Sequence, residues 1–317
     1  MPPASLTGIS IVADIGGTHS RLGQVRAGRL LAQGQRCYRN AAFPGPEALL
    51  ATYRQDTGHG AVDALCLAVA GPVRGDQAHM TNLGWLIDAN RLGRQTGAAR
   101  VQLLNDLQAQ GHALPTLPDD AVCTLRKGQP APATATRLVL GIGTGLNAAP
   151  VHGDGARIIV PASECGHATL PQHTDPQRAL ARELARRHGR ATIEEALSGR
   201  GLVALHGFLG GRAANPAAIV AALDAGEADA RATGAFYAGL LGAVLADLAL
   251  VHLPYGGIYL IGGLARELAP HLGALGLEAA YRRPGERYDD ILAAIGLHII
   301  QDDTAGLLGC AAALGQR

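Results

Sequence analysis

The chain has 317 residues, long enough for two domains with sizeable cores, and its net charge of +1 is dispersed, so no basic face for nucleic acid is apparent. Cys37, Cys66, Cys123, Cys165 and Cys310 are scattered without a C-x-x-C pair, which argues against a disulfide framework and for free thiols in a reducing compartment. The start of the chain shows no basic segment leading into an apolar core, so no export signal is expected.

In chain order, Ile9-Ser10-Ile11-Val12-Ala13 predicts a buried strand over 9–14, with Asp14 at its tip. Gly16, Gly17 and Thr18 follow as a turn, and a second strand returns over 21–25. Glycine opens backbone angles closed to other residues and lets a ligand approach the main chain. The product is a hairpin tip with bare N–H groups and one carboxylate, suited to phosphate and its metal ion; an ordinary hairpin turn is the plain alternative. A strand over 64–70 and a helix over 88–96 come next. The strand over 101–104 then runs into Asn105-Asp106 and a helix over 106–113, where the Asn-Asp pair also reads as a helix cap. Pro115 to Thr136, rich in Pro, Ala and Thr, reads as the boundary between halves.

The second half repeats the opening motif. A strand over 137–142 meets Gly143, Thr144 and Gly145, and a return strand occupies 147–151. Two such turns could grip a polyphosphate from both sides. A Walker loop is excluded because the only lysine, Lys127, lies elsewhere, and Leu146 breaks the dinucleotide pattern at its last glycine. After a predicted strand over 157–161, Glu164 and His167 place an acid and an imidazole three residues apart; a loop salt link or a core histidine is the plain reading. Zinc explains Cys165 and His167 poorly, since no other Cys or His lies at ligand spacing. Helices follow over 176–188, 199–209, 216–224 and 229–253, with Glu194 also readable as a first-turn acid favouring the helix dipole. Ala235 to Leu253 is long enough for a membrane span, but Asp247, His252 and many Ala and Gly residues predict a buried helix of a soluble protein. A strand over 257–261 runs into Gly262-Gly263, then a strand over 296–301 and a helix over 304–314 end the pattern. Such alternation predicts an α/β fold with mixed sheets flanked by helices.

These positions together resemble the bacterial hexokinase-type glucokinases, members of the sugar kinase, heat-shock ATPase and actin superfamily. The anchors run nearly end to end: Ala13-Asp14-Ile15-Gly16-Gly17-Thr18, Ala70-Gly71-Pro72-Val73, Met80-Thr81-Asn82-Leu83-Gly84-Trp85, Asn105-Asp106, Gly143-Thr144-Gly145-Leu146, Glu164 with Gly166-His167, Ser198-Gly199-Arg200-Gly201-Leu202 and Gly262-Gly263. The resemblance implies a two-lobed, actin-like/ribonuclease H-like fold with duplicated halves. Residues 1–114 with 302–317 would form a small domain, 115–301 a large one, and the site would lie in the cleft between them. It implies ATP-dependent phosphorylation of glucose at the 6-hydroxyl in the cytoplasm, by a possible homodimer. Asp106 would be the general base, and Asn105, Glu164, His167 and Glu194 would join it in holding the sugar. Ala13, Asp14, Ile15, Gly16, Gly17, Thr18, Gly143, Thr144 and Gly145 would hold the phosphates, with Gly262 and Gly263 leaving room for adenosine. Asp14 would hold Mg²⁺ through water. The cysteine cluster that supplies zinc in a related group is absent, which points to the zinc-free branch.

His19, Asn147, Ser163, Cys165 and Gly84 depart from the family pattern, so sugar selectivity and ATP affinity stay open. Asparagine tolerates a left-handed backbone better than other non-glycine residues, so the turn at Asn147 can survive. Another preferred hexose, a non-catalytic sugar sensor and a heat-shock-type ATPase are the competing readings. A regulator needs an N-terminal helix-turn-helix, for which the strand beginning at Ile9 leaves no room, and a heat-shock ATPase needs a much longer chain.

Overall fold

Runs of β-branched and aliphatic residues alternate with helical segments, and the chain folds as an α/β protein with mixed sheets. The structure is a computed structural model and describes residues 8–58, 60, 62–80, 83–154 and 157–316. Thr81 and Asn82 of one sequence anchor, and residues 1–7 considered for an export signal, lie outside the described residues. The chain divides into two compact units: unit 1 takes 1–118, 153–162 and 302–317, and unit 2 takes 119–152 and 163–301.

Unit 1 begins with β1 (Ile9–Ile15), β2 (His19–Arg26) and β3 (Arg29–Arg39), an antiparallel meander. Helix α1 (Pro46–Thr57) leads to β4 (Ala64–Val69), and the small sheet β5 (Val73–Arg74), β6 (Gln77–Met80) and β7 (Trp85–Asp88) precedes α2 (Ala89–Thr96). Strand β8 (Arg100–Asn105) then runs into α3 (Asp106–Ala113). The main sheet has the order β3-β2-β1-β4-β8, with β4 parallel to both β1 and β8. Strand β4, Ala-Leu-Cys-Leu-Ala-Val, is buried at every position, as expected of a central parallel strand covered on both faces.

Unit 2 repeats the hairpin. It contains β9 (Val122–Arg126), β10 (Arg137–Ile142) and β11 (Leu146–Val151), then α4 (Asp175–His188), α5 (Ile193–Leu197), α6 (Gly199–Phe208), α7 (Pro216–Asp224) and α8 (Ala228–His252). Strand β12 (Ile258–Ile261), α9 (Gly263–Leu272), α10 (Leu277–Tyr281), α11 (Asp289–Ala294) and β13 (Leu297–Ile300) complete it. Its sheet has the order β11-β10-β12-β13-β9. Helix α8 is long and apolar enough to cross a membrane, yet Leu240, Leu241, Val244 and Leu245 along it are fully buried in the unit 2 core.

The last helix, α12 (Ala305–Gly315), belongs to unit 1 and packs on α3, β4 and β1. The helix backbones touch where Gly309 meets α3: a Cβ there would stand 1.6 Å from the Ala109 carbonyl oxygen.

One sequence expectation is corrected. Residues 157–161 form no strand, although Ile158, Ile159 and Val160 are β-branched. Backbone pairing is limited to a single β-bridge at Ile159, while the Ile158 N–H donates to Gln316 Oε1 and the Val160 carbonyl accepts from Gln108 Nε2. The stretch from Pro115 to Thr136 contains the unit boundary at 118/119, and it also contains β9, which closes the unit 2 sheet against β13.

Candidate active site

The first glycine turn joins β1 to β2. Gly16 and Gly17 both lie outside the positive-φ region, so the turn does not need glycine for its backbone angles. What glycine supplies is space: a Cβ on Gly17 would meet no atom within 4 Å. The N–H groups of Gly17 and Thr18 donate to no other protein atom among the described residues, whereas the Gly16 N–H closes on the His19 carbonyl at 3.0 Å. Asn40, 1% exposed, straps this turn from the end of β3. Its Nδ2 donates to Gly16 O at 2.8 Å, its N–H donates to Thr18 O at 2.9 Å, and its Oδ1 accepts from Ser20 Oγ at 2.6 Å. Sequence reasoning missed Asn40, because nothing local marks a residue whose partners lie across two strands.

Asp14 stands beside the turn, and Gly306 of α12 passes so close that a Cβ would lie 2.7 Å from Asp14 Oδ2. Burial raises the Asp14 pKa; Arg21 opposes the shift and Asp303 adds to it. No hydrogen bond reaches this carboxylate among the described residues. A largely desolvated carboxylate with no protein donor and a second acid nearby is a fit for a cation. Among the described residues no group of three or more His, Cys, Asp or Glu is placed to hold a metal alone, so the fit is to a cation that arrives already bound to phosphate.

At the same C-terminal edge of the unit 1 sheet, where β1, β4 and β8 run parallel, Asn105 caps α3 and Asp106 occupies its first turn, both half-buried. Asn105 Oδ1 accepts from the Leu107 N–H at 3.0 Å, the Asn105 N–H donates to Gln108 Oε1 at 3.0 Å, and Asn105 Nδ2 donates to Gly71 O at 3.2 Å. The cap reading of Asn105 is therefore correct, and the capping also fixes the direction of its amide. Asp106 Oδ1 accepts from the Leu107 N–H at 2.9 Å. Gln108, three residues after the cap, was legible as a capping-box partner and was missed.

Unit 2 gathers a second set around Leu146. The Gly143–Gly145 turn joins β10 to β11, and the Thr144 and Gly145 N–H groups donate to no other protein atom among the described residues. The Gly199 N–H at the start of α6 donates to Gly143 O at 2.8 Å. Gly262, at φ 106°, opens α9 where a Cβ would meet the Ile142 carbonyl oxygen at 2.3 Å, so this position requires glycine both for its angle and for its space. Gly263 beside it faces open space.

Glu194 lies in the first turn of α5. Its Oε2 accepts from the Leu146 N–H at 2.9 Å, and its Oε1 pairs with Arg200. Glu195 and then Glu194 raise the Arg200 pKa. Glu164 and His167 sit on the exposed turn that presses on Leu146, because a Cβ on Gly166 would lie 1.9 Å from Leu146 O and 3.4 Å from Glu194 Cβ. The turn is tied to α5 by Ile193 N–H donating to Ala168 O at 3.0 Å. The His167 ring has no side-chain partner among the described residues.

Asn147 clamps the same turn. Its Oδ1 accepts from the Cys165 N–H at 2.9 Å, and its Nδ2 donates to Ser163 O and, at 3.4 Å, to Glu164 Oε2. The left-handed tolerance of asparagine is not used at Asn147. It is an ordinary β11 residue paired with Gly141, and its contribution is made by the side chain. Asn147, Ser163 and Cys165 thus form one connected feature. Burial raises the Cys165 thiol pKa, which keeps it protonated.

Comparison with known proteins gives one answer along the whole chain. The family model described as Glucokinase matches residues 11–317. A glucokinase of Pseudomonas aeruginosa (strain UCBPP-PA14) is 32% identical over 322 residues, covering 98% of this chain and 96% of that protein. The crystal structure of a glucokinase from an Antarctic psychrotroph superposes with a TM-score of 0.85 at 26% identity, covering 97% of this chain and 98% of that one. A ROK family glucokinase from Streptomyces griseus, solved with glucose and AMPPNP, superposes with a TM-score of 0.60 at 23% identity over 96% of this chain and 98% of that one. The fold is the actin-like ATPase fold of these sugar kinases.

Proposed function

The chain belongs to the glucokinase family and is a sugar kinase, and from that premise we propose that it transfers the γ-phosphoryl group of Mg·ATP to the 6-hydroxyl of glucose, giving glucose 6-phosphate and ADP. The observation that carries the reading is Asp106, a half-buried carboxylate in the first turn of α3 beside a residue locked by a capping box. Helix N-termini favour negative charge, which suits a base that must be ionised before transfer. Asp106 takes the proton of the sugar 6-hydroxyl while that oxygen bonds to the γ-phosphorus and the bond to the β-phosphate oxygen breaks. A positioned base of this kind is worth roughly 10²–10⁴-fold.

Asn105, Glu164, His167 and Glu194 hold the remaining hydroxyls in this reading. Sugar hydroxyls both donate and accept, and an amide, an imidazole and carboxylates meet either need. The open N–H groups of Gly17, Thr18, Thr144 and Gly145 receive phosphate oxygens, and Gly262 with Gly263 leaves room for the adenosine. Asp14 would hold, through water, the Mg²⁺ that accompanies ATP, which would supply neutralisation of phosphate charge. We place the reaction in the cytoplasm and read the chain as a homodimer, which sedimentation at micromolar concentration tests.

A different preferred hexose is the second reading, favoured by the Asn147 clamp on the turn that carries Glu164. The deciding experiment is ADP production from Mg·ATP with and without a panel of hexoses, with Asp106→Ala as the blank. Glucose-dependent turnover that vanishes in the blank is expected. Turnover preferring another hexose selects the second reading, and turnover without any sugar overturns both.

A further inference from the structure

Unit 2 holds a polar cavity that none of the groups above lines. It has a volume of about 420 Å³, in the range of small-molecule sites, and lies where β10, β12 and β13 begin. Strand β10 runs six residues from Arg137 in the cavity wall to Ile142 before the glycine turn, so about 20 Å of strand separates the two places.

The wall is cationic and carries no carboxylate. Lys127, the chain's only lysine, and Arg137 both line it, and no Asp or Glu does. Neither cation makes an ion pair among the described residues. Arg137 Nη2 donates to Ala133 O at 3.0 Å, but its Nη1 is buried without a hydrogen-bond acceptor. The neighbouring Tyr259 hydroxyl donates to Gly256 O at 3.2 Å, and the Arg137 guanidinium beside it opposes the rise in pKa that burial causes there. A buried guanidinium nitrogen with nothing to donate to is a standing invitation for an acceptor.

The walls are also fixed before anything binds. The Tyr259 and His298 rings stack with centroids 4.8 Å apart, and His298 Nδ1 shares a hydrogen bond with Thr124 Oγ1 at 3.1 Å. The loop carrying Lys127 is pinned because Gly128 packs directly on Gly296, where a Cβ would lie 2.4 Å from its backbone nitrogen. The Gln129 N–H donates to Ala294 O at 2.8 Å just beyond it. A cavity shaped in the free protein spends little of its binding energy on ordering.

We propose that this cavity is a second ligand site that takes a small phosphomonoester, with Arg137 Nη1 and the Lys127 ammonium as donors to its phosphate oxygens. The site stands independently of the hexose-kinase reading, and loss of kinase activity would leave it untouched.

Calorimetric titration with inorganic phosphate and with glycerol phosphate tests it, run with the nucleotide turns saturated by AMPPNP. The expected result is one site that persists under AMPPNP. Its affinity should fall tenfold or more in Lys127→Glu, fall less in Lys127→Gln and survive in Lys127→Arg. Arg137→Gln, checked for a native circular dichroism spectrum, should also lose binding. Basal turnover of the Lys127 variants should stay at the wild-type value, because Lys127 touches none of the proposed catalytic groups. No binding to either probe, binding unchanged in Lys127→Glu, or binding displaced by AMPPNP would each overturn the proposal.

Discussion

The two glycine hairpins share a backbone plan but handle charge in opposite ways. The β1–β2 turn carries its own acid on the strand, and that acid, Asp14, is desolvated and left without a hydrogen bond among the described residues. The β10–β11 turn has no acid on its strand and borrows Glu194 from α5, where the Leu146 N–H and Arg200 fully engage it. One carboxylate is buried without a protein hydrogen bond among the described residues, and the other is part of the fold. Repeating a backbone motif therefore does not repeat its chemistry.

The contrast is broken most forcefully at Asp14. Asp14→Asn should raise the KM for Mg·ATP by about 10–100-fold, the usual effect of losing a water-mediated metal partner, yet it should raise Tm at pH 7 because a strained charge is removed. A lower Tm in that variant would place Asp14 among the fold's supports instead. Gly166→Ala attacks the other side. A methyl group 1.9 Å from Leu146 O must displace the turn carrying Glu164 and His167, so the glucose KM should rise at least tenfold, with a stability loss of about 1–3 kcal/mol by denaturant unfolding. Glu194→Gln should lower stability by about 1 kcal/mol, a modest figure because Arg200 is half exposed. The opposite signs of the Asp14 and Glu194 stability changes are the sharpest form of the comparison.

The two asparagine straps refine it. Asn40→Ala removes two side-chain hydrogen bonds at the first turn and should cost about 1–3 kcal/mol, with the ATP KM rising and the glucose KM unmoved. Asn147→Ala should do the reverse at a smaller stability cost, raising the glucose KM alone. Steady-state kinetics on both variants separates the two turns.

Acidity supplies the smallest effect. The folded-state pKa of Asp14 is raised above 3.8, so the folded protein binds that proton more tightly than the unfolded chain does. Its contribution to stability is most favourable below the unfolded value and declines as pH climbs toward the folded one. Protons also compete with the cation, so the KM for Mg·ATP should rise on acidification at pH values still above 3.8. A KM flat through that window would argue that Asp14 is ionised without difficulty.

Much of this was legible in the sequence, for identifiable reasons. The runs at Ile9–Val12, broken only by Ser10, and at Leu138–Leu140 are aliphatic and uncharged, and both proved to be sheet strands leading to glycine turns. Strand β3 was not legible, because an exposed edge strand such as Arg-Leu-Leu-Ala-Gln-Gly-Gln-Arg-Cys-Tyr-Arg lacks a sustained apolar face. The segment 157–161 misled for the opposite reason: its residues favour a strand, but its hydrogen bonds go to Gln316 and Gln108. At the site, the charged and glycine positions could be picked out, while Asn40 and the side-chain role of Asn147 could not. Their partners are set by strand pairing and loop docking that no local pattern encodes.

The close passage of α12 over Asp14 gives the molecule a built-in order of completion. Strand β1 leaves the ribosome well before the helix whose Gly306 covers the Asp14 carboxylate and whose Gly309 seats on α3. Domains that close in sequence can fold as they emerge. Unit 1 is instead closed by a helix that follows the whole of unit 2 in the sequence. The nascent chain presents the first glycine turn with its carboxylate still hydrated, and full assembly around that turn waits until unit 2 has been made.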